Sequence, residues 1–228
     1  MATQLDLQEQ EQLDALKAFW KQYGNLITWL LILLLGAYAG WNGWNYWKRD
    51  QALKASAMYD ALDQAAQAGD ADKTGRVFAD LKERFPRTAY AQQGGLAAAK
   101  LQFDKGQLDA AKASLTWVAD NASEDEYRSI ARLRLAAVLA QAKQYDEALK
   151  QLDGAKAAGF EALVADRRGD VLMAAGKKDE AKAAYQAAWK AMDEKTDYRR
   201  VVDAKLTALG AAPEAAASTA IKASGATP

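Results

Sequence analysis

Between Lys21 and Lys48 the chain carries no charge, and from Leu26 to Trp47 it reads LITWLLILLLGAYAGWNGWNYW. Its first half is almost wholly apolar, interrupted only by Thr28 and Gly36. A bilayer core takes roughly 20 such residues as a helix rising 1.5 Å per residue, so the stretch is long enough to span. Amphipathic rings flank it: Trp20 and Tyr23 before, Trp41, Trp44 and Trp47 after, all suited to the headgroup level. Five of the seven tryptophans lie in or beside this one stretch, which reads as a membrane anchor. The small-x-small triplet Ala37-Tyr38-Ala39 also suits a signal peptidase. A signal n-region is short and basic, however, whereas the residues ahead of this run are acidic (Asp6, Glu9, Glu11, Asp14). A buried core helix would need apolar cover on every side, and no downstream segment offers it.

The remaining composition excludes several chemistries. The chain has 228 residues, 30 Lys and Arg against 30 Asp and Glu, no cysteine and no histidine. Residues 1–47 hold two basic and four acidic side chains, a balance of −2 that leaves +2 for the remainder. Neither part has the basic excess of a nucleic-acid binder. Without Cys and His there are no disulfides, thiol nucleophiles or Ser-His-Asp triads, and only carboxylates remain as metal ligands. No cofactor motif is present.

Ahead of the span, Leu13, Leu16, Phe19, Trp20 and Tyr23 fall on one helical face, so an amphipathic helix is expected to lead into the bilayer. Within the span, Gly36, Gly40 and Gly43 recur at intervals of four and three, a small-residue strip that lets another transmembrane helix approach closely.

Beyond Asp50, apolar and alanine positions recur at helical spacing, with few β-branched runs and one proline, Pro86, before Pro213. Aligned on four short turns at Gly69, Gly106, Lys143 and Gly176, the chain repeats at 37, 37 and 33 residues. Five residues past the turns stand Thr74, Ala111, Ala148 and Ala181; nine past, Phe78, Leu115, Leu152 and Tyr185; twelve past, Leu81, Val118, Ala155 and Ala188. Seven before them stand Leu62, Ala99, Ala136 and Gly169. That register of small and large residues is the tetratricopeptide pattern, in which small residues let the two helices of a hairpin touch and the large one plugs between hairpins. The repeats are degenerate, because the aromatic usual at the fourth position is replaced by Met58, Gly95, Arg132 and Ala165. Phe85-Pro86 closes the first hairpin, Ser123-x-x-Glu126 reads as a capping box, and Asp197 reads as the N-cap of a last helix carrying Val201, Val202, Leu206 and Leu209. Beyond Gly210 the chain lacks bulky residues and reads as a disordered tail.

The expected fold is therefore all-α: one transmembrane helix, then about four degenerate tetratricopeptide-like hairpins and a capping helix. The divisions are an acidic arm over residues 1–24, a span over 25–47, a helical domain over 48–210 and a tail over 211–228.

Taken together, the stretch EQLDALKAFWKQYGN, the span ending in GWNGWNYW and the last hairpin ALVADRRGDVLMAAGKKDEAKAAYQAAW resemble the YfgM family of ancillary Sec translocon subunits over residues 10–209. That resemblance implies a bacterial inner-membrane protein with a cytoplasmic N-terminus and its helical domain in the periplasm. Its implied partners are SecYEG, a membrane-anchored isomerase-like chaperone and emerging polypeptides, and it implies no catalysis. Charge bias does not argue for that orientation, since Lys17 and Lys21 precede the span and Lys48, Arg49 and Lys54 follow it. A general assembly scaffold unrelated to secretion is the alternative. An enzyme would have to rest on Asp166 and Asp170, four apart on one face, or on Glu124-Asp125-Glu126, without any nucleophile or phosphate-loop motif beside them.

The resemblance also carries over a binding surface. The second, fifth, ninth and twelfth positions of a tetratricopeptide repeat line its inner groove; here they are Gln93, Leu96, Lys100 and Phe103 in the second hairpin and Leu163, Asp166, Asp170 and Met173 in the fourth. Apolar groups among single charges of both signs suit weak contact with varied segments, although apolar residues at helical spacing also commonly pack as core.

Overall fold

A computed structural model describes residues 7–212, with side chains from residue 10 onward. The outermost part of the acidic arm and residues 213–228 of the expected tail lie outside the described residues. Contacts divide the chain into two compact units, residues 1–51 and 52–228. Among the described residues every regular element is a helix: α1 (Leu7–Gln67), α2 (Ala71–Arg84), α3 (Ala89–Asp104), α4 (Leu108–Asn121), α5 (Asp125–Gln141), α6 (Tyr145–Asp153), α7 (Glu161–Ala174), α8 (Lys178–Ala191) and α9 (Arg199–Ala208).

In the first unit α1 is long and apolar enough to cross a membrane, and almost none of its apolar window is covered by protein. Leu26, Trp29, Leu33 and Leu35 are each about two-thirds exposed. Its polar side chains satisfy themselves on the helix: Thr28 Oγ1 donates to the Gly24 carbonyl at 2.8 Å and Asn42 Nδ2 to that of Tyr38 at 3.0 Å. Such internal pairing is what an apolar solvent demands of a backbone and its polar substituents.

In the second unit the last turns of α1 and helix α2 form the first hairpin, followed by α3/α4, α5/α6 and α7/α8. Each A-to-B turn closes in the same way. Gly69, Gly106, Lys143 and Gly176 all have positive φ, between 61° and 79°. Around each, the turn residue donates to the carbonyl three before it and the next residue to the carbonyl five before that (Gly106 N to Phe103 O, 2.9 Å; Gln107 N to Gln102 O, 2.8 Å). This is the Schellman closure, which satisfies the last helical carbonyls and favours glycine for its missing Cβ. Of the four B helices only α2 has a side-chain cap, Asp70 Oδ1 accepting from Lys73 N at 2.8 Å. All four carry acid in the first turn (Asp72, Asp109, Asp146 with Glu147, Asp179 with Glu180), which offsets the helix dipole where a cap is missing.

The repeat register accounts for the core. The residues five past the turns are fully buried, and Phe78, Leu115, Leu152 and Tyr185, nine past, are nearly so. Burying one such large side chain contributes roughly 1.5–3 kcal/mol. Close approach explains Gly169, seven before its turn, and Gly95, eleven before its own. A Cβ at Gly169 would overlap the Tyr185 ring, and one at Gly95 would lie 2.9 Å from Phe78 Cζ and nearer still to Val118 Cγ2. Gly95 therefore stands where an aromatic is usual because Phe78, which meets Trp117 edge-on at 5.5 Å, already fills that space.

Two local expectations fail. No capping box forms at Ser123 and Glu126: α5 begins at Asp125 after an uncapped Glu124, and Arg128 reaches back to Asp125 and to the Ala122 carbonyl, tying that first turn by itself. Asp197 does not cap α9 either, since it offers only its backbone carbonyl, to Arg200 N at 3.2 Å. Arg199, stacked 3.9 Å over the Trp189 ring, and Tyr198, bonded to Asp166, hold that end instead.

Candidate functional site

Helices α3, α5 and α7 pack side by side, so the A-helix positions of successive hairpins come together on one face. The second-hairpin residues separate there into two kinds. Leu96 is buried in the central core, and Gln93 Nε2 donates to Tyr127 Oη at 2.8 Å across to α5. Lys100 and Phe103 remain open, Lys100 paired with Asp104 at 2.7 Å and Phe103 38% exposed. Beside Phe103 lies a groove enclosing about 300 Å³, floored by Ala99, Leu115, Ala137 and Val138 and edged by Lys100, Arg134 and Arg167.

The fourth-hairpin residues are arranged differently. Leu163 is exposed and Met173 is partly buried against the core of α7, α8 and α9. Asp166 is 2% exposed: its Oδ1 accepts from Lys205 Nζ at 2.7 Å and its Oδ2 from Tyr198 Oη at 2.8 Å. Asp170 accepts from the same ammonium at 2.6 Å, from Tyr185 Oη at 2.8 Å and from Arg167 at 3.5 Å. One lysine from α9 thus bridges two carboxylates on α7, Arg167 supplies the second positive charge, and Asp166 is covered while Asp170 stays 30% exposed. Burial alone would lower the Lys205 pKa, but hydrogen bonds and attraction from the two carboxylates outweigh it and hold the ammonium above its usual range. Tyr185 and Tyr198 are both pushed upward, first by burial and then by their carboxylate partners. Chemically this is an ion cluster that helps fasten a helix. Asp166 and Asp170, one of the two carboxylate sets an enzyme reading could rest on, are engaged in it.

Several of these residues escaped sequence reasoning. Lys205 lies 39 residues from Asp166, and a lysine in the last turn of an amphipathic helix reads as solvent-facing. The signal that existed was Tyr185: a plug position filled by tyrosine needs a partner for its hydroxyl. Arg134 and Arg167 were legible as surface charge but not as neighbours of Lys100.

On α1, nothing lies within 4 Å of a Cβ built at Gly36, Gly40 or Gly43, so the strip is open. Trp44 and Trp47 stack at 5.2 Å, and Lys48 Nζ stands 5.7 Å from the Trp44 ring. At the other end Phe19 and Tyr23 pack at 5.1 Å, and Trp20 and Trp41 are exposed.

The sequence matches the model of a family described as a tetratricopeptide repeat-like domain over residues 17–211. It is 32% identical over 204 residues to a protein of Neisseria gonorrhoeae, covering 89% of this chain and 98% of that one. It is 36% identical over 182 residues to one of Escherichia coli (78% and 86% covered) and 32% identical over 182 residues to one of Haemophilus influenzae (80% and 89%). Each of these relatives is named an ancillary SecYEG translocon subunit.

Proposed function

We propose, from the premise that this chain belongs to the family of tetratricopeptide repeat-like ancillary SecYEG translocon subunits, that it is a membrane-anchored binding subunit of the bacterial Sec machinery. The observation that carries this reading is the pairing of an uncovered apolar segment on α1 with a stack of helix hairpins, one part suited to lipid and the other to protein. Residues 25–47 form the span, the N-terminal arm stays in the cytoplasm, and the helical domain works in the periplasm. A folded domain translocates largely regardless of its charges, so Lys48 and Arg49 beyond the span do not oppose that placement. The subunit passes newly translocated polypeptides to a membrane-anchored isomerase-like chaperone and performs no chemistry itself. Its A-helix face is the polypeptide-holding surface, and the glycine strip on α1 meets a partner helix.

Site-specific photo-cross-linking from positions 36 and 40 in native membranes tests the assignment: adducts with SecYEG or a periplasmic chaperone are expected, and adducts only with proteins unrelated to secretion would make the chain a general inner-membrane scaffold. Orientation has its own test. A reporter fused after Gly210 and active only in the periplasm should be active, and activity confined to a cytoplasmic reporter would reverse the placement.

A further inference from the structure

The groove beside Phe103 differs from the rest of the A-helix face in having charge of one sign only. Its apolar part is built by Phe103, Ala137 and Val138, and its rim by Lys100, Arg134 and Arg167, contributed by three successive A helices; no carboxylate lines it. The hollow exists because the third hairpin places Ala137 at the position where the second places Lys100 and the fourth Asp170. Its size, about 300 Å³, is at the small end of ligand-binding clefts, room for one large apolar side chain and its neighbouring backbone.

The rim charges are weakly answered within the chain. Arg134 is exposed, and among the described residues its only hydrogen bond is a long one of 3.4 Å to the Leu96 carbonyl. Arg167, its side chain 39% exposed, meets Asp170 only at 3.5 Å, the long end of hydrogen bonding, whereas Lys205 and Tyr185 hold that carboxylate at 2.6 and 2.8 Å. Lys100 pairs with Asp104 on the solvent side of its own helix, both well exposed, an arrangement worth little in water. Further along the same face Asp166 is buried under α9, and Asp170 is held by Lys205 and Tyr185.

We infer that this groove takes an extended polypeptide segment that presents one bulky apolar side chain flanked by aspartate or glutamate. The apolar residue enters between Phe103 and Ala137, and its acidic neighbours meet Arg134 and Arg167 on one side and Lys100 on the other. Arginine suits the task, since its planar fork binds a carboxylate by two hydrogen bonds. Segments flanked by lysine or arginine are turned away by the same rim, which makes the surface selective among unfolded chains. The assignment deepens the polypeptide-holding role proposed above and rests on it.

Short labelled peptides with a central leucine, flanked by Asp and Glu in one version and by Lys and Arg in another, test it against the full chain in neutral detergent. The acidic peptide is expected to bind roughly tenfold tighter than the basic one and to lose that margin in high salt. Exchanging its leucine for serine should weaken it, and Arg134→Glu with Arg167→Glu should reverse the preference. Ala137→Leu, which fills the hollow, should weaken binding of both peptides; should that variant unfold, Lys100→Glu at an exposed site reads the same rim. Equal binding of the two peptides would overturn the inference while leaving the polypeptide-holding role intact. Binding of neither would overturn both, and co-purification with SecYEG would then still report on the translocon assignment separately.

Discussion

Lys205 on α9 places its ammonium 2.7 Å from the Oδ1 of Asp166 on α7, a carboxylate almost fully removed from water. That contact, shared with Asp170, fastens the final helix to the stack together with the buried Val202 and Leu206. Lys205→Met should destabilise the helical domain by about 3–5 kcal/mol, the range for breaking a buried pair and leaving its charge uncompensated. Asp166→Asn and Asp170→Asn added to Lys205→Met should recover part of that loss, because no carboxylate is then left without its cation and the remaining charge, on Arg167, is partly exposed. Denaturant titration of the three variants measures both effects, and equal instability of the single and triple variants would deny the cluster this role.

The same cluster sets an alkaline limit. Lys205, Tyr185 and Tyr198 all have folded pKa values above their ordinary ones of 10.5, 10.0 and 10.0, so the folded state holds their protons more tightly than the unfolded chain. Their contribution is fully present below the unfolded values and is lost as pH rises through the folded ones. Stability should therefore be insensitive to these groups near neutrality and fall above about pH 10, the ordinary tyrosine value. Phenolate absorbance from Tyr185 and Tyr198 should appear only as the domain unfolds, which Tyr→Phe variants at the two positions identify.

Gly169 faces Tyr185 so closely that a methyl group has no room. Gly169→Ala should cost about 1–3 kcal/mol by overpacking, despite alanine's better helix propensity. Adding Tyr185→Leu should relieve the clash, at the expense of the hydroxyl's bond to Asp170. A stabilising Gly169→Ala would mean that α7 and α8 shift apart without loss.

Lys143 holds a left-handed turn at φ 61° that glycine occupies in the other three hairpins. A lysine there costs about 1–2 kcal/mol, part of which glycine returns as greater freedom in the unfolded chain. Lys143→Gly should accordingly stabilise by up to about 1 kcal/mol, a gain of a few degrees in melting temperature for a domain of this size. Gly106→Lys should do the reverse.

Gly36→Leu with Gly40→Leu fills the open strip on α1 without adding charge. Membrane insertion should be unchanged, because leucine favours the bilayer, whereas co-purification with the translocon or the chaperone should weaken. Unchanged co-purification would place those contacts in the helical domain.

The span, the hairpins and the turns were legible along the chain because each depends on near neighbours. An uncharged run long enough for a bilayer is a property of consecutive residues, and Gly69, Gly106 and Gly176 mark the turns since few residues tolerate positive φ. The small and large positions followed from the same spacing: Ala111 and Ala181 had to be small and Leu115 and Tyr185 large wherever two helices cross. Even Lys143, with no glycine to mark it, was found by counting from its neighbours in the repeat.

What only the tertiary structure decided concerns polar side chains whose partners come from far along the sequence. Asp166 and Asp170 occupy positions that face an open groove in a repeating stack, yet α9 arrives from beyond the last hairpin, engages both with a lysine 39 and 35 residues away and buries Asp166. Arg134 and Arg167 became the rim of a groove because α5 and α7 pack beside α3 and because Ala137 is small. The start of α9 was decided in the same way, Tyr198 bonding to Asp166, 32 residues away, where Asp197 offers no side-chain cap. Apolar periodicity reports a face that must be covered; a charge reports nothing about its partner until the chain has brought one within reach.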